Sequence, residues 1–334
     1  MSSFSTLQRS RVTMLDVAER AGVSKASVSR FIGDDRALLS EATAKRIESA
    51  ISELGYRPNQ MARGLKRGRT RLIGMLMADI RNPYSTAVIH GVETACRRHG
   101  YSLVVCNTDR DPEQESQQLA ALRAYNIEGL IVNTLGHQLQ ELGELQRELP
   151  MVLVDRKVLR LPSDLVGLDN AHAVQMAIEH LRERGYVDLA MVTEAPDGTS
   201  SRQERISAFE RLAPTGPIIS TDPGLKPHLQ TFLNSSDRPK ALFCANGVAT
   251  LACTLALREL QCGLFDDVGL IALDDLDWYP LVGAGITALA QPTHEIGVRA
   301  FECLLARLRG SEAPPLCHDF TAQLIIRGST PYQR

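Results

Sequence analysis

The stretch from residue 13 to residue 32, TMLDVAERAGVSKASVSRFI, restricts the fold more than any other part of this chain. Thr13 and Asp16 stand three apart, the spacing at which a hydroxyl and a carboxylate cap the first turn of a helix. Val17, Ala18 and Ala21 then share one helical face. Gly22 ends that helix, because glycine enters the left-handed region without a Cβ clash. Ser24 is the next N-cap candidate. Val28, Phe31 and Ile32 give the second helix an apolar face at i, i+3 and i+4. Two short helices around a glycine-containing turn form a helix-turn-helix. The small side chains of Ala18 and Ala21 let the helices cross closely. Lys25, Ala26, Ser29 and Arg30 are left on the outer face, where short or basic side chains suit a DNA major groove. An ordinary helical hairpin in a helical core is the alternative on this stretch alone.

Charge separates the two readings. The whole chain of 334 residues carries a net charge of only −2. Residues 1–71, however, hold 14 basic and 7 acidic residues, and the remainder holds 23 basic and 32 acidic. A basic head on an acidic body expects only the head to meet a polyanion. After a turn at Gly33, Ser40 caps a third helix with Ala44, Ile47, Ala50, Ile51 and Leu54 as its stripe. A basic segment follows, YRPNQMARGLKRGRTR, in which Gly64 and Gly68 disfavour a stable helix. It reads as an interdomain linker, or as a segment that becomes helical on DNA once its charges are neutralised.

From residue 72 the pattern changes. Short apolar runs at 72–77, 103–106, 129–132 and 151–154 alternate with amphipathic helices at 84–99, 112–124 and 138–148. A second series follows, with strands at 166–168, 189–192, 217–219, 241–244 and 268–273. A helix at 295–308 and one strand near 320–325 end the chain. Strand–helix alternation of this period means doubly wound parallel sheets. The expected fold class is α/β, a two-lobed core preceded by a small all-α domain. Two such lobes place a ligand cleft at the carboxyl ends of their strands.

Several classes are disfavoured. The seven cysteines are odd in number and lack C-x-x-C spacing, so reduced thiols are expected rather than disulfides or a zinc site. No metal, cofactor or catalytic motif is expected, and the chain does not read as an enzyme. The amino-terminal residues lack the apolar run of a secretory signal, and no run is long enough to span a bilayer. A cytoplasmic protein is expected. Trp278 and Tyr279 read either as a cleft wall or as packing.

Residues 12–71 resemble the DNA-binding head of LacI/GalR-type bacterial transcription regulators. The resemblance rests on Val12-Thr13, Asp16-Val17-Ala18, Ala21-Gly22-Val23-Ser24, Val28-Ser29-Arg30, Leu54 through Asn59, and Ala62-Arg63 with Leu65. Residues 71–328 resemble the periplasmic-binding-protein-like core of the same family, through Ile73-Gly74, Asn82-Pro83-Tyr84, Ala245-Asn246, Asp274-Asp275, Gln291-Pro292 and Glu295-Ile296-Gly297. Gly247 departs from the pattern, which usually has Asp there. The resemblance implies a head over 1–57, a hinge helix or linker over 58–71, and a core over 72–328. Its first lobe would take about 72–165 plus 293–320, and its second about 166–290 plus 321–328.

The resemblance further implies a homodimer on a pseudo-palindromic operator. Lys25 and Ala26 match base-reading positions. Thr13, Ser24 and Ser29 match phosphate contacts, and Arg30 a groove contact. Asn59, Ala62 and Arg63 match the hinge helix in the minor groove, with Leu65 as an apolar lever that kinks the duplex and Lys66 adding phosphate neutralisation. Effector positions map onto Asn82, Tyr84, Asn133, Asp155, Ser201, Arg205, Asn246, Asp274 and Gln291. Carboxylates and amides chelate hydroxyls, and Arg205, with Arg156 beside Asp155, suits a carboxylate. A sugar acid is therefore expected, and within the family the chain is most similar to repressors of 2-ketogluconate utilisation in pseudomonads. A neutral-sugar effector, a corepressor, or a two-lobed solute-binding protein are the alternatives.

Overall fold

A computed structural model describes residues 12–56, 69–195, 198–222, 224–263 and 265–333. They divide into two units that part at Thr70 and Arg71.

The first unit contains α1 (Met14–Ala21), α2 (Lys25–Ile32) and α3 (Glu41–Leu54). The Thr13 N–H donates to Asp16 Oδ2 at 2.7 Å, and the Asp16 N–H donates back to Thr13 Oγ1 at 3.4 Å. The bond from the Thr13 N–H, with a second from the Thr13 hydroxyl to Asp16 Oδ2 at 2.9 Å, holds the Asp16 carboxyl below its usual range. Gly22, at φ +61°, closes the helix. Ser24 and Ser40 accept from the third amide of their helices, Ser27 and Thr43. Val17, Ala18, Ala21, Val28, Ile47 and Ala50 form the small buried core. Arg36 lies 4.5 Å from the Phe31 ring centroid and so covers part of the apolar rim.

The second unit contains twelve strands in two sheets of six. The first sheet runs β11-β5-β4-β3-β1-β2 and is parallel throughout. Its strands are β1 (Leu72–Met77), β2 (Ser102–Asn107), β3 (Gly129–Asn133), β4 (Met151–Val154), β5 (Asp164–Leu168) and β11 (Cys317–Phe320). The second runs β12-β10-β9-β8-β6-β7, from β6 (Asp188–Thr193), β7 (Ile218–Ser220), β8 (Lys240–Cys244), β9 (Gly269–Leu273), β10 (Thr287–Ala290) and β12 (Gln323–Ile325). Only β12 is antiparallel to its neighbour. The central strands carry apolar cores such as Leu-Ile-Val in β3 and Ala-Leu-Phe in β8, as expected for sheets covered by helices on both faces.

Three expectations need correction. The strand expected at 166–168 spans Asp164–Leu168 and pairs with β4 and β11, so it belongs to the first lobe. The single strand expected near 320–325 is two strands in different sheets, with the chain crossing between lobes at Thr321 and Ala322. The strand β10 was not expected. Thr-Ala-Leu-Ala is short and its alanines carry little strand preference; pairing with β9 and β12 makes it a strand. The chain therefore crosses between lobes after β5, after β10 and after β11.

Helix α4 (Pro83–Arg98) and helix α11 (Thr293–Leu308) lie in direct backbone contact. A Cβ on Gly91 would meet the His294 carbonyl, and one on Gly297 would meet the Val88 carbonyl. No side chain fits at either position. Because α11 starts just past the β10 crossing, this contact anchors the crossing to the first lobe.

The tail beyond Ile326 is also structural. Ser329 and Thr330 are fully buried. Thr330 Oγ1 lies 2.8 Å from His180 Nε2 and 2.9 Å from Thr287 Oγ1. The Gln333 N–H donates to Arg184 O at 2.8 Å. The seven cysteines are free thiols, and five of them are buried. Among the described residues, no helix is long and apolar enough to cross a membrane.

Two predictions follow from this packing. Gly297→Ala forces the two helices apart and should destabilise the core by about 1–3 kcal/mol, the usual cost of overpacking. Gly143→Ala, in a helix where an added Cβ meets nothing within 4 Å, should instead stabilise by roughly 0.5–1 kcal/mol. Denaturant melts of the two variants measure the contrast. His180 gives the second prediction. Burial first, then the Arg184 charge, lowers its pKa from the ordinary 6.5. The unfolded chain thus takes up the proton first, and stability is lost as pH falls from about 6.5 toward the folded value. In His180→Gln the decline in melting temperature over that window should be shallower than in the parent; equal slopes would remove His180 as its source.

Candidate functional site

Both halves of the core contribute the same device to the cleft. Asp155 follows β4 at φ +66°, and Asp274 follows β9 at φ +72°. Aspartate tolerates this left-handed conformation better than most residues. The Asp155 N–H donates to Val166 O at 2.9 Å, and that of Asp274 to Leu289 O at 3.0 Å. Each carboxylate is thus fixed at the carboxyl end of its sheet.

Arg205 stands between them in helix α8 (Ser200–Leu212) and is 7% exposed. Its Nε donates to Asn170 Oδ1 at 2.8 Å and its Nη1 to Ala245 O at 3.0 Å. Its Nη2 lies 3.9 Å from Asp155 Oδ1, across the cleft. Ser201 Oγ donates to Asp155 Oδ2 at 3.3 Å. Asp274 is tied down by Gly247 N–H at 3.0 Å and Gln291 Nε2 at 2.6 Å. Burial pushes the Asp274 carboxyl above its usual range, against the opposing pull of Arg205 and these two donors. At Gly247, where the pattern usually has Asp, a Cβ would lie 2.6 Å from Leu276 Cδ1, so the Leu276 side chain would have to turn.

Among the described residues, thirteen line the cleft. Nine of them were expected: Asn82, Tyr84, Asp155, Arg156, Ser201, Arg205, Asn246, Asp274 and Gln291. Asn82 and Asn246 are also N-caps, accepting from Tyr84 N–H at 3.1 Å and Ala249 N–H at 2.8 Å. Asn133 does not reach the cleft. It is buried behind Asp155, donating to Val154 O at 3.1 Å with its Nδ2 also 3.5 Å from Asp155 Oδ2. Trp278 and Tyr279 are packing, edge to face at 4.6 Å within the second lobe.

Arg110, Glu194, Thr199 and Arg202 line the cleft without having been expected. Glu194 directly follows β6, and Arg110 lies three residues past β2. The rule that picked the other strand-end residues finds Glu194 when applied to β6, whereas Arg110 lies in the loop beyond its reach. Arg110 Nη1 donates to Glu194 Oε1 at 2.9 Å, across the cleft. Glu194 Oε2 accepts from Arg202 Nη2 at 3.1 Å and Asn246 Nδ2 at 2.8 Å. Burial pushes the Glu194 carboxyl up, but Asn246, Arg202 and Arg110 outweigh it and hold it below its usual range. The space left among these side chains is about 30 Å3, room for a water molecule. The hydroxyl of Tyr84 and Oε1 of Gln291 are buried and have no hydrogen-bond partner among the described residues.

A larger hollow of about 530 Å3 lies against β7, where apolar side chains such as Pro217, Ile218 and Phe232 alternate with polar ones such as Thr215, His228 and Ser235. The charged pair at its edge, Asp188 and Arg238, is closed on itself. Among the described residues, no three His, Cys, Asp or Glu side chains are grouped as metal ligands.

In the head, Thr13, Ser24, Lys25, Ala26, Ser29 and Arg30 are exposed. Asn59, Ala62, Arg63, Leu65 and Lys66 lie outside the described residues.

A two-lobed binding core behind a helix-turn-helix head defines a DNA-binding regulator with a ligand cleft. Residues 13–59 match the model of bacterial regulatory proteins of the lacI family. Residues 70–215 match that of periplasmic binding proteins and the sugar binding domain of the LacI family, and 178–330 a periplasmic binding protein-like domain. The HTH-type transcriptional regulator PtxS of Pseudomonas aeruginosa is 66% identical over 328 residues, covering 96% of each chain. The regulator KdgR of Bacillus subtilis is 37% identical, covering 95% of this chain and 97% of its own. A lac repressor dimer solved with operator and the anti-inducer ONPF superposes with a TM-score of 0.82 at 22% identity, covering 96% of this chain and 99% of its own. The chain belongs to the LacI family of transcription regulators. These relatives are regulators, not enzymes.

Proposed function

We propose that the protein is a cytoplasmic, homodimeric repressor of carbohydrate catabolism genes, released from its operator by a small sugar acid, with 2-ketogluconate the leading candidate. The observation that carries the effector class is charge. Among the described residues four arginines line the cleft, Arg110, Arg156, Arg202 and Arg205. Such a concentration of guanidinium groups suits a ligand carboxylate, and the Tyr84 hydroxyl and Gln291 carbonyl, without a hydrogen-bond partner among the described residues, suit hydroxyl groups. Similarity to PtxS over nearly the whole chain supports the same reading. The homodimer is supported by an apolar stripe at Val248, Leu251 and Leu255, each more than a third exposed on one helix of the second lobe.

In the head, Lys25 and Ala26 begin the recognition helix and read bases, while Thr13, Ser24 and Ser29 hold phosphates and Arg30 reaches the groove. Asn59, Ala62, Arg63, Leu65 and Lys66 form the hinge segment that enters the minor groove.

Calorimetric titration with 2-ketogluconate, gluconate and a neutral hexose tests the effector class, and an operator gel shift with and without ligand tests the sign. Exchanging Lys25 and Ala26 should change the preferred half-site in a randomised operator selection while non-specific binding survives, since the phosphate contacts lie elsewhere. An unchanged half-site would refute the base-reading role. Arg205→Ala should weaken acid binding by about 2–5 kcal/mol, the cost of stranding a buried charge, and leave ligand-free operator binding intact. Full acid affinity in that variant, or tight binding of the neutral hexose alone, would refute the charge argument.

A further inference from the structure

Asn170 is not among the described residues that line the cleft. It is nevertheless only 4% exposed, and both ends of its amide are bonded to charged groups. Its Oδ1 accepts from Arg205 Nε at 2.8 Å, and its Nδ2 donates to Glu204 Oε2 at 2.9 Å. The two partners fix the orientation of the amide, because a guanidinium can only donate and an ionised carboxylate can only accept. An aspartate here would satisfy Arg205 but turn a like charge on Glu204, and a leucine would satisfy neither. The backbone of Asn170 is equally fixed. It opens helix α7 (Asn170–Glu183) of the second lobe. Asp169, just before it, caps that helix by accepting from the His172 N–H at 2.9 Å. The Asp169 N–H donates to Phe320 O of β11, in the first sheet, at 2.8 Å. The amide therefore stands at the crossing after β5, where the chain is bonded into both lobes. Glu204 is held in turn by Lys157, from the first lobe.

We propose that Asn170 is a positioning residue for the effector: it holds Arg205 by Nε and so aims the rest of the guanidinium into the cleft. The inference rests on the sugar-acid reading, in which Arg205 receives the carboxylate, and adds what orients that group. With Nε on Asn170 and Nη1 on Ala245 O at 3.0 Å, two of the three nitrogens of the planar fork are pinned. The third, Nη2, faces Asp155 across the cleft. The plane of the fork is thus set before a ligand arrives, which lowers the ordering cost of binding a carboxylate. Loss of Asn170 does not strand Arg205, since Ala245 and Asp155 remain. It leaves one hydrogen bond in place of two, and the fork pivots about it. Glu204 and Lys157 act one step further back, by keeping the amide the right way round.

A double-mutant cycle of Asn170→Ala with Arg205→Lys in the full-length protein tests this, read by calorimetric titration with 2-ketogluconate, gluconate and glucose at up to millimolar ligand. Lysine keeps the charge but has no planar fork to aim. Asn170→Ala alone should weaken acid binding by about tenfold, the effect of one hydrogen bond to a charged group, and leave glucose unchanged. In the Arg205→Lys background the same change should weaken acid binding by no more than about twofold. A merely structural role predicts equal losses in both backgrounds, and that result overturns the proposal. Equal losses for acid and glucose, or no loss, overturn it as well. If Asn170→Ala does not fold, Asn170→Ser serves, because its hydroxyl is polar but too short to span Arg205 and Glu204. It should show the same pattern with a smaller loss, and absence of the pattern overturns the proposal. A parent protein that binds no acid overturns the sugar-acid reading and this inference with it. A parent that binds acids, with the loss felt equally in both backgrounds, overturns only the role of Asn170.

Discussion

A guanidinium as buried as that of Arg205 is tolerable only if each of its faces is paired, and the pairing requirement reaches into both lobes. Asn170 and Ala245 bind it from the second lobe, and Asp155 faces it from the first. Asn170 in turn donates to Glu204, whose carboxylate also takes the Lys157 ammonium from the other side. The Lys157 N–H donates to Ser200 Oγ at 2.7 Å. One buried cation is thus the centre of a network that closes the two lobes on each other. Removing any single member leaves another group buried and unpaired, which is where such networks exact their largest penalties. The left-handed Asp155 and Asp274 are held in a sparsely populated conformation for the same reason: it points a carboxylate at the cleft from each sheet.

The crossings between lobes connect this network to motion. Asn170, the partner of Arg205, lies two residues past β5. Gln291, the partner of Asp274, directly follows β10. One of the three crossings therefore carries a cleft residue at its edge, Gln291, and another carries Asn170, the partner of one. Any rotation of one lobe against the other changes these contacts, and any ligand that changes these contacts biases the rotation. The third crossing, at Thr321 and Ala322, has no residue in the cleft and acts only as a connection. The tight glycine contact between α4 and α11 gives the Gln291 crossing a fixed support in the first lobe.

What was legible in the sequence depended on range. The head could be read residue by residue because its determinants are local: Thr13 with Asp16, Gly22, Ser24 and Ser40 each act within one turn. The alternation of strands and helices in the core was equally plain, since it rests on period. The membership of a strand was not. Asp164–Leu168 looks like the start of a new series, and its pairing with β4 before it and with β11, some 150 residues later, puts it in the first sheet. The strand β10 is decided by its neighbours in the same way. In the cleft, strand ends predicted most of the lining, because the fold brings all carboxyl ends to one edge. Asn133 failed that rule because its amide turns to Val154 and Asp155. Arg110 is delivered by a loop with two consecutive left-handed residues, Asp109 and Arg110, which no periodicity announces.

Charge distribution sets what a ligand can do from such a site. The ion pair between Arg110 and Glu194 joins the lobes without any ligand. An acid bound to the same arginines would join them through itself, at a spacing fixed by its own length. The equilibrium between lobe arrangements then shifts by the difference in affinity for each, and by nothing else. Residues 57–70 join the core to the head in sequence and are dense in Arg and Lys, a composition that repels itself unless a polyanion neutralises it. The acidic balance of the core adds a constant bias, since the body is repelled by the polyanion that the head seeks.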